Sequence, residues 1–328
     1  MSHSRLTLAV DSGLVTLPDA GQIAVFGARS DSDLSALPQD RCHLVQGFKP
    51  DHDALATAGW QVSPDIPDTA ALAVVFLPRA KAQARDTLAR AAALCTGALV
   101  VDGAKTDGID SIFKDLRKRG TTSAALSKSH GKLFTLAPGA DLSDWLASAS
   151  QIDGQFITAP GVFSADAVDP ASKLLADSLP ASLKGHIVDL GAGWGYLASR
   201  LSDRAAITRL DLVEADHAAL TCARQNITDP RAHFHWADAT TWKAPARIDH
   251  VVMNPPFHTS RTADPALGRA FIAAAARMLA PSGTLWLVAN RHLPYESALS
   301  ASFGETREIA GDNRFKILAA SRPARQRR

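Results

Sequence analysis

The sequence has few cysteines, few aromatic residues and no long apolar run, and each shortage narrows the class of protein. Its 3 cysteines lie far apart with no CxxC pair, which argues against a disulfide framework and against a zinc site. No run approaches the ~20 apolar residues of a membrane-spanning helix, and the N-terminus reaches an aspartate before any signal-like apolar stretch develops. We therefore expect a cytoplasmic protein with no membrane segment and no metal.

The sequence also lacks a large excess of charge of either sign, since 35 basic and 33 acidic residues leave a formal net charge of +2. Nothing global therefore indicates a nucleic-acid binder, although basic runs occur at 114–119 and 322–328. Such runs are either solvated faces or nucleic-acid contacts. The 46% hydrophobic and 21% charged residues are typical of a folded globular protein, and 328 residues are comfortable as two domains.

The second half alternates short apolar runs with helical patterns, which predicts a doubly wound, mostly parallel α/β sheet. The predicted strands are 186–190, 209–215, 233–238, 249–254 and 284–290. The predicted helices are 196–201, 217–225, 264–279 and 297–303. Residues 307–321 form two further apolar runs joined across Gly311-Asp312-Asn313, which predicts an antiparallel hairpin at the C-terminal end of the sheet.

The first half repeats this plan in a weaker form. A strand at 73–79, a helical stretch, a glycine and a strand at 97–104 match the order found at 250–256 and 283–290. We therefore predict two tandem Rossmann-like folds, with a first domain at 1–137, a linker at 138–165 and a second domain at 166–328. Leu77 stands in the place of Asn254, so the N-terminal copy is expected to be degenerate, keeping the fold without the site.

A glycine loop follows the first predicted strand of the second half and opens a helix. Gly191, Gly193 and Gly195 let the backbone turn sharply and approach a ligand closely. The spacing lacks the third glycine of a dinucleotide fingerprint, where Tyr196 stands, and no lysine follows for a triphosphate. Asp189 suits the amino group and the cationic sulfonium of an amino-acid-bearing cofactor, which indicates S-adenosyl-L-methionine.

Two more carboxylates end the next predicted strands. Glu214 lies about 20 residues beyond the loop, where in such folds an acidic side chain accepts hydrogen bonds from both hydroxyls of an adenosine ribose. Asp238 is placed to accept from the adenine amine or to lie beside it. Each has a structural alternative, because a carboxylate at the end of a strand is often the cap of the following helix.

The stretch Asn254-Pro255-Pro256-Phe257 leaves the fourth strand at the edge of the sheet where ligands bind in such folds. Two prolines remove two N–H donors and stiffen the turn. The Asn254 side-chain oxygen and the Pro255 carbonyl are each expected to accept a hydrogen bond from one N–H of an NH₂ group. These two hydrogen bonds would aim the nitrogen lone pair at a methyl donor. Phe257 is expected to stack on a planar substrate, and His258 either contacts substrate or phosphate or only completes the loop.

With these motifs in place, the sequence resembles the bacterial small-subunit ribosomal RNA guanine-N2 methyltransferases of the RsmC type over nearly its whole length. The matching stretches are PGVFS (160–164), DLGAGWG (189–195), NPPFH (254–258), VANRHLPY (288–295) and RFK (314–316). The resemblance implies two class I methyltransferase folds and methyl transfer from S-adenosyl-L-methionine to the 2-amino group of one guanine in 16S ribosomal RNA. It implies that Asp189, Gly191, Gly193 and Glu214 hold the cofactor and that Asn254, Pro255 and Phe257 hold the base.

The resemblance further implies a partner, the small ribosomal subunit or its RNA, and an N-terminal half that supports RNA binding or folding. We expect a monomer. Three alternatives stay open: methylation of another amine, such as adenine N6 or a glutamine of a release factor; a non-enzymatic RNA-binding assembly factor that retains the fold; and an NAD-dependent oxidoreductase, which Tyr196 disfavours.

Overall fold

The computed structural model describes residues 4–256 and 265–324, and the chain divides into two compact units. Unit 1 is Met1–Ser148 and unit 2 is Ala149–Arg328. Each unit contains a seven-stranded sheet of its own. The two units are described separately below.

Unit 1 alternates strands and helices along its length. Its elements are α1 (Arg5–Asp11), β1 (Ile23–Phe26), β2 (Cys42–Val45), α2 (Lys49–Thr57), β3 (Gln61–Ser63), β4 (Leu72–Phe76), α3 (Lys81–Leu94), β5 (Leu99–Ala104), α4 (Ile109–Leu116), β6 (Leu126–Lys128) and β7 (Gly131–Leu136). The strand order is β3-β2-β1-β4-β5-β7-β6. The first five strands run parallel, and β7 pairs antiparallel with both β5 and β6.

Unit 2 repeats this order after a short hairpin. Its elements are β8 (Ser150–Ile152), β9 (Phe156–Thr158), α5 (Pro170–Ser178), β10 (Gly185–Leu190), α6 (Tyr196–Ser202), β11 (Ile207–Glu214), α7 (His217–Asn226), β12 (Ala232–Trp236), β13 (Ile248–Met253), α8 (Pro265–Met278), β14 (Leu279–Asn290), α9 (Glu296–Ser302), β15 (Phe303–Gly311) and β16 (Phe315–Pro323). The strand order is β12-β11-β10-β13-β14-β16-β15, with β16 antiparallel to β14 and β15. The predicted fold class, including the C-terminal antiparallel hairpin, is confirmed.

The central strands are apolar on both faces because helices cover both sides of the sheet. Val251 packs into the core on one face of the unit 2 sheet and Val252 into the core on the other. Both side chains are fully buried, and each such burial contributes about 1.5–3 kcal/mol. Alternate residues therefore face opposite layers, which explains why these strands have no polar face in the sequence.

Aspartates fix the start of two helices in unit 2. Asp169 precedes α5, and its side chain accepts a hydrogen bond from the Ser172 N–H at 2.8 Å. Asp216 precedes α7 and accepts from the Ala218 N–H at 2.9 Å. Each carboxylate satisfies an N–H that has no partner within the helix. Both helices begin at the carboxyl edge of the sheet, where the candidate site lies.

The segment 138–165, predicted from the sequence as a linker, is divided between the two units. Leu142 and Trp145 are buried in the core of unit 1. The β8–β9 hairpin belongs to unit 2, where Ile152 is buried in a cluster beside the glycine loop. The units part after Ser148, because apolar side chains on either side of that point pack into different cores.

In the parts covered by 4–256 and 265–324, no helix is long and apolar enough to cross a membrane. Within the same residues, no group of three or more histidine, cysteine or acidic side chains is arranged to hold a metal ion.

Candidate active site

A pocket opens at the carboxyl edge of the unit 2 sheet, where the strand order reverses between β10 and β13. Ligands bind at such switch points in open α/β sheets. The described residues that line the pocket are Phe163, Ser164, Asp169, Ser172, Gly191, Ala192, Gly193, Trp194, Tyr196, Leu197 and Asn254. The fold thus brings together two motifs that lie about 60 residues apart in the sequence, the glycine loop and the Asn-Pro-Pro turn.

The glycine loop needs its glycines for different reasons. All three predicted residues, Gly191, Gly193 and Gly195, have a positive φ. A Cβ at Gly195 would lie 3.1 Å from the Ile227 side chain, so this glycine permits packing at the start of α6. A Cβ at Gly193 would meet no atom of the described residues within 4 Å, so its missing side chain leaves open space on the pocket side of the loop.

Asn226, which the sequence analysis missed, ties the loop to the β8–β9 hairpin. Its Nδ2 donates to the Trp194 carbonyl and to the Ile157 carbonyl, each at 2.9 Å, and its Oδ1 accepts from the Ile157 N–H at 2.7 Å. Trp194 is buried, and its indole N–H donates to the Phe163 carbonyl at 3.1 Å. The loop is therefore fixed by side chains before any ligand binds.

Asp189 lies beneath the loop and is fully buried. Its Oδ2 accepts a hydrogen bond from the Ala198 N–H in the first turn of α6 at 3.1 Å, whereas Oδ1 has no hydrogen-bond partner among the described residues. Burial, and to a smaller extent the nearby Glu214 carboxylate, raise the pKa of Asp189 to about 7. A buried acceptor without a donor is costly, so this carboxyl group is suited to a cationic or N–H donor supplied by a ligand.

Glu214 ends β11 and contacts the loop directly. Its Oε2 accepts from the Gly193 N–H at 2.8 Å, and its Oε1 accepts from the Asp216 N–H at 2.7 Å. Burial raises the pKa of Glu214. A carboxylate offers about four acceptor positions, so each oxygen keeps capacity for a hydroxyl group.

Asp238 does not end a strand, and the prediction that β12 extends to it is wrong. The strand ends at Trp236. Asp238 Oδ1 accepts from the Thr240 N–H at 2.8 Å and from the Thr240 hydroxyl at 2.7 Å, so the side chain forms a local turn that ends the extended chain. None of the three predicted carboxylates, Asp189, Glu214 and Asp238, is among the described residues that line the pocket, although Glu214 accepts from the N–H of the pocket residue Gly193.

Asn254 is the first residue after β13 and lines the pocket. Its Nδ2 donates to Asp169 Oδ2 and to Ser172 Oγ, each at 2.9 Å. Pro255 is buried and Pro256 is exposed. The predicted roles of Phe257 and His258 fall on residues outside those that the structure describes.

Asp169, Ser172 and Phe163 are among the pocket residues that were not assigned a role from the sequence. Asp169 and Ser172 reach Asn254 across more than 80 residues. Only the Asp-Pro pair at 169–170, a helix-start signal, marked this place. Phe163, from the PGVFS stretch, is 58% exposed at the pocket, which is unusual for a large aromatic side chain in a folded domain.

Known proteins are similar to this chain both in unit 2 and along most of its length. Residues 153–319 match the family described as methyltransferase small domain. The ribosomal RNA small subunit methyltransferase C of Shewanella sp. (strain MR-7) is 30% identical over 75% of this chain and 75% of its own. The protein of that name from Hahella chejuensis (strain KCTC 2396) is 31% identical over 67% and 68%.

A solved structure is similar over both units. It is the T. thermophilus 16S rRNA N2 G1207 methyltransferase (RsmC) in complex with AdoMet and guanosine, with a TM-score of 0.80 and 27% sequence identity. The alignment covers 94% of this chain and 90% of that chain.

Proposed function

Because the chain belongs to the methyltransferase small domain family and to the ribosomal RNA small subunit methyltransferase C family, we propose that it methylates the 2-amino group of a guanine in 16S ribosomal RNA. The methyl donor is S-adenosyl-L-methionine. The observation that carries this proposal is the pocket in which Asn254 and the glycine loop face one ligand space.

The residues present fit the cofactor. Asp189 Oδ1 is a buried acceptor with no donor among the described residues, which matches an amino group or a bridging water. The open side of Gly193 allows close backbone approach. S-adenosyl-L-methionine, when bound, supplies a methyl group on a positively charged sulfur.

We assign the cofactor contacts as follows. Asp189 receives the amino group of the methionine moiety, and Gly191, Gly193 and Gly195 shape the loop that approaches it. Glu214 accepts the ribose hydroxyls through the acceptor positions that its two backbone hydrogen bonds leave. Asp238 lies beside the adenine, with a smaller contribution because Oδ1 is already engaged by Thr240.

Asn254 and the residues after it hold the substrate amine. The amine of guanine has a delocalised lone pair and is a poor nucleophile. Asn254 Oδ1 and the Pro255 carbonyl each accept a hydrogen bond from one N–H of the amine, which favours a pyramidal nitrogen and orients its lone pair. Pro256 stiffens the turn, and Phe257 stacks on the base. Transfer would form the N–C bond as the S–C bond of the sulfonium breaks, with the neutral thioether as the leaving group. The two acceptor oxygens would stabilise the positive charge that develops on the nitrogen, and one proton would then leave to water.

Unit 1 is proposed to support RNA binding or folding of the chain. Lys114, Arg117 and Lys118 are exposed, and none of the three forms an ion pair within the described part of the chain. Three such cations are able to contact phosphates. Replacing all three by alanine should weaken binding of small-subunit RNA and make the dependence of log K on log salt shallower by up to about 3, which filter binding at several salt concentrations measures.

The chain is proposed to act as a monomer in the cytoplasm, the compartment of its RNA substrate. Light scattering of the purified protein tests the first point. A mass of one chain is expected, and a stable dimer contradicts it.

The proposed reaction is tested by incubating the protein with methyl-labelled S-adenosyl-L-methionine and, separately, small ribosomal subunits, naked 16S RNA and a release factor. Digestion of the labelled RNA to nucleosides identifies the modified atom. We expect N2-methylguanosine from at least one RNA substrate. Label in N6-methyladenosine or in the release factor instead supports another amine acceptor, and no transfer to any substrate supports a non-enzymatic RNA-binding protein.

The same preparation tests the remaining alternative through ligand stabilisation. A ligand that binds only the folded state stabilises it by RT ln(1 + L/Kd), where L is the free ligand concentration, so Tm rises once the ligand concentration exceeds Kd. S-adenosyl-L-methionine is expected to raise Tm and NAD is not. The reverse result supports an oxidoreductase.

A further inference from the structure

The Asn254 carboxamide is held by two side chains from the start of α5. Its two N–H groups are directed to Asp169 Oδ2 and Ser172 Oγ, each at 2.9 Å. Ser172 is buried. Asp169 is itself fixed, because Oδ2 also accepts from the Ser172 N–H at 2.8 Å. The donor side of the carboxamide is thus fully engaged by protein groups.

These contacts permit one orientation of the carboxamide. An ionised carboxylate accepts hydrogen bonds and cannot donate. Rotating the Asn254 amide by half a turn would place Oδ1 against Asp169 Oδ2 and leave both N–H groups without their acceptors, which is unfavourable in a partly buried site. Oδ1 is therefore kept on the side away from α5.

We propose that Asp169 and Ser172 are positioning residues that present Asn254 Oδ1, and not its NH₂ group, to the substrate amine. This inference rests on the proposed function, in which an oxygen acceptor is required at that point. An NH₂ group there would oppose the amine protons. The Asp169 charge also polarises the carboxamide, so its oxygen becomes a stronger acceptor as positive charge develops on the substrate nitrogen.

A purely structural role for Asp169 makes a different prediction. As the residue before α5, it caps the helix, and asparagine caps helices about as well as aspartate. Asp169→Asn therefore preserves the cap but removes the acceptor-only side chain. Two carboxamides can pair in either sense, so Asn254 loses its fixed orientation.

Transfer kinetics with small ribosomal subunits or 16S RNA test the inference. Asp169→Asn is expected to lower kcat about tenfold to a hundredfold, with the Kd for S-adenosyl-L-methionine and the Tm close to wild type. Ser172→Ala removes one of the two acceptors and is expected to lower kcat less. Asp312→Asn is the matched control, because the Asp312 carboxylate, like that of Asp169, accepts from backbone N–H groups but lies in the β15–β16 turn; its kcat should not change.

A paired exchange restores the geometry with reversed donors. Asn254→Asp alone places two carboxylates together and is expected to abolish transfer. In the double variant Asp169→Asn/Asn254→Asp, the new amide donates to the new carboxylate, which still presents an oxygen to the substrate. We expect the double variant to be at least about tenfold more active than Asn254→Asp alone, since coupled neighbours depart from additivity.

Side-chain amide resonances report the orientation without any reaction. In the wild-type protein, the two Asn254 amide protons should be shifted by their carboxylate and hydroxyl acceptors, and Asp169→Asn should move them. Wild-type kcat in Asp169→Asn, or an unmoved Asn254 resonance, overturns the inference. A wild-type protein that transfers no methyl group to any guanine overturns the proposed function instead, so the two failures are distinct.

Discussion

The two units share one strand order and differ where chemistry would occur. In unit 1 the first residue after β4 is Leu77, which is buried in the core, whereas in unit 2 the first residue after β13 is Asn254, which lines the pocket. β1 has only apolar, buried residues, whereas β10 contains the buried carboxyl group of Asp189. Unit 1 thus has buried apolar residues at the positions where unit 2 has the polar residues of the site.

The second strand of each sheet shows the same contrast. Gln46 follows β2; its Nε2 donates to the Ala28 carbonyl at 2.6 Å, and its Oε1 accepts from the Phe48 N–H at 2.7 Å. Glu214 at the end of β11 makes comparable contacts with its loop but through a carboxylate. A neutral amide closes the loop of unit 1, while the acid of unit 2 keeps acceptor capacity for a ligand. The fold therefore needs a side chain that hydrogen-bonds to the loop after the first strand, but it does not need the negative charge that Glu214 has in unit 2.

The largest effect should come from giving unit 2 the residue of unit 1. Asn254→Leu keeps the number and branching of the side-chain heavy atoms but removes the acceptor, so kcat should fall about a thousandfold, as for loss of a preorganised group that stabilises charge. The Kd for S-adenosyl-L-methionine should stay within about threefold, equivalent to less than 1 kcal/mol. Rapid-quench kinetics and calorimetry measure both.

The converse exchange, Leu77→Asn, is the control for that prediction. It buries a polar group in the core of unit 1 and should lower the free energy of unfolding by about 2–3 kcal/mol without changing kcat. Wild-type kcat in Asn254→Leu contradicts the role of the acceptor.

The next effect concerns the carboxyl group that β1 lacks. Because burial raises the pKa of Asp189 to about 7, above the ordinary value of about 3.9, the free protein should lose stability as pH rises from about 4 to about 7. The positively charged amino group of S-adenosyl-L-methionine binds the ionised form of the Asp189 carboxyl group in preference to the protonated form. The affinity for S-adenosyl-L-methionine should therefore rise by up to about tenfold per pH unit below pH 7 and then level off.

Asp189→Asn should remove this dependence and weaken binding about 30-fold at pH 7.5, the equivalent of about 2 kcal/mol for a charge-assisted hydrogen bond. Calorimetry across this pH range measures both, with Asp312→Asn as the control. An equally steep pH dependence in Asp189→Asn would assign the titration to another group.

A smaller effect separates the glycines of the two loops. A Cβ at Gly27 would lie 2.7 Å from the Phe76 carbonyl oxygen, so Gly27→Ala should cost about 2 kcal/mol of stability and leave cofactor affinity unchanged. A Cβ at Gly193 meets no atom in the described part of the chain within 4 Å, so Gly193→Ala should cost about 1 kcal/mol through its positive φ and weaken cofactor binding about tenfold. Urea unfolding and calorimetry test the pair; a Gly193→Ala protein with wild-type affinity contradicts close approach of the cofactor.

The smallest effect is expected at Asp238, whose Oδ1 is engaged by Thr240. Asp238→Ala should weaken cofactor binding about fivefold, equivalent to about 1 kcal/mol. Thr240→Val removes the hydroxyl contact but keeps the carboxylate, and it should bind nearly as wild type. If Asp238→Ala binds the cofactor normally, the side chain serves only the turn.

The sheet of unit 2 could be predicted from the sequence because each strand and turn is marked by a pattern of neighbouring residues. Val251 and Val252 belong to an uninterrupted apolar run that only a strand buried on both faces explains, and Gly311 marks the hairpin turn. The end of β12 was placed two residues too late. The aromatic run continues toward Asp238, but the Asp238 side chain accepts two hydrogen bonds from Thr240 and forms the turn that ends the extended chain.

The glycine loop and Asn254 were also recognisable, since each lies in one short motif. Asp169 and Asn226 were not, because each acts through a partner 69 to 85 residues away. The Asp-Pro pattern at the start of α5 predicts that Asp169 caps the helix, but it does not predict that the same side chain contacts Asn254. Long-range pairs of this kind need the fold before they can be seen.

The most direct test of the account is mass mapping of 16S ribosomal RNA from cells that lack this protein and from the same cells supplied with the wild-type chain or with Asn254→Leu. One guanosine should gain a single methyl group on N2 with the wild-type chain and remain unmethylated in the other two. A methylated guanosine with Asn254→Leu, or an unchanged RNA with the wild-type chain, contradicts the account.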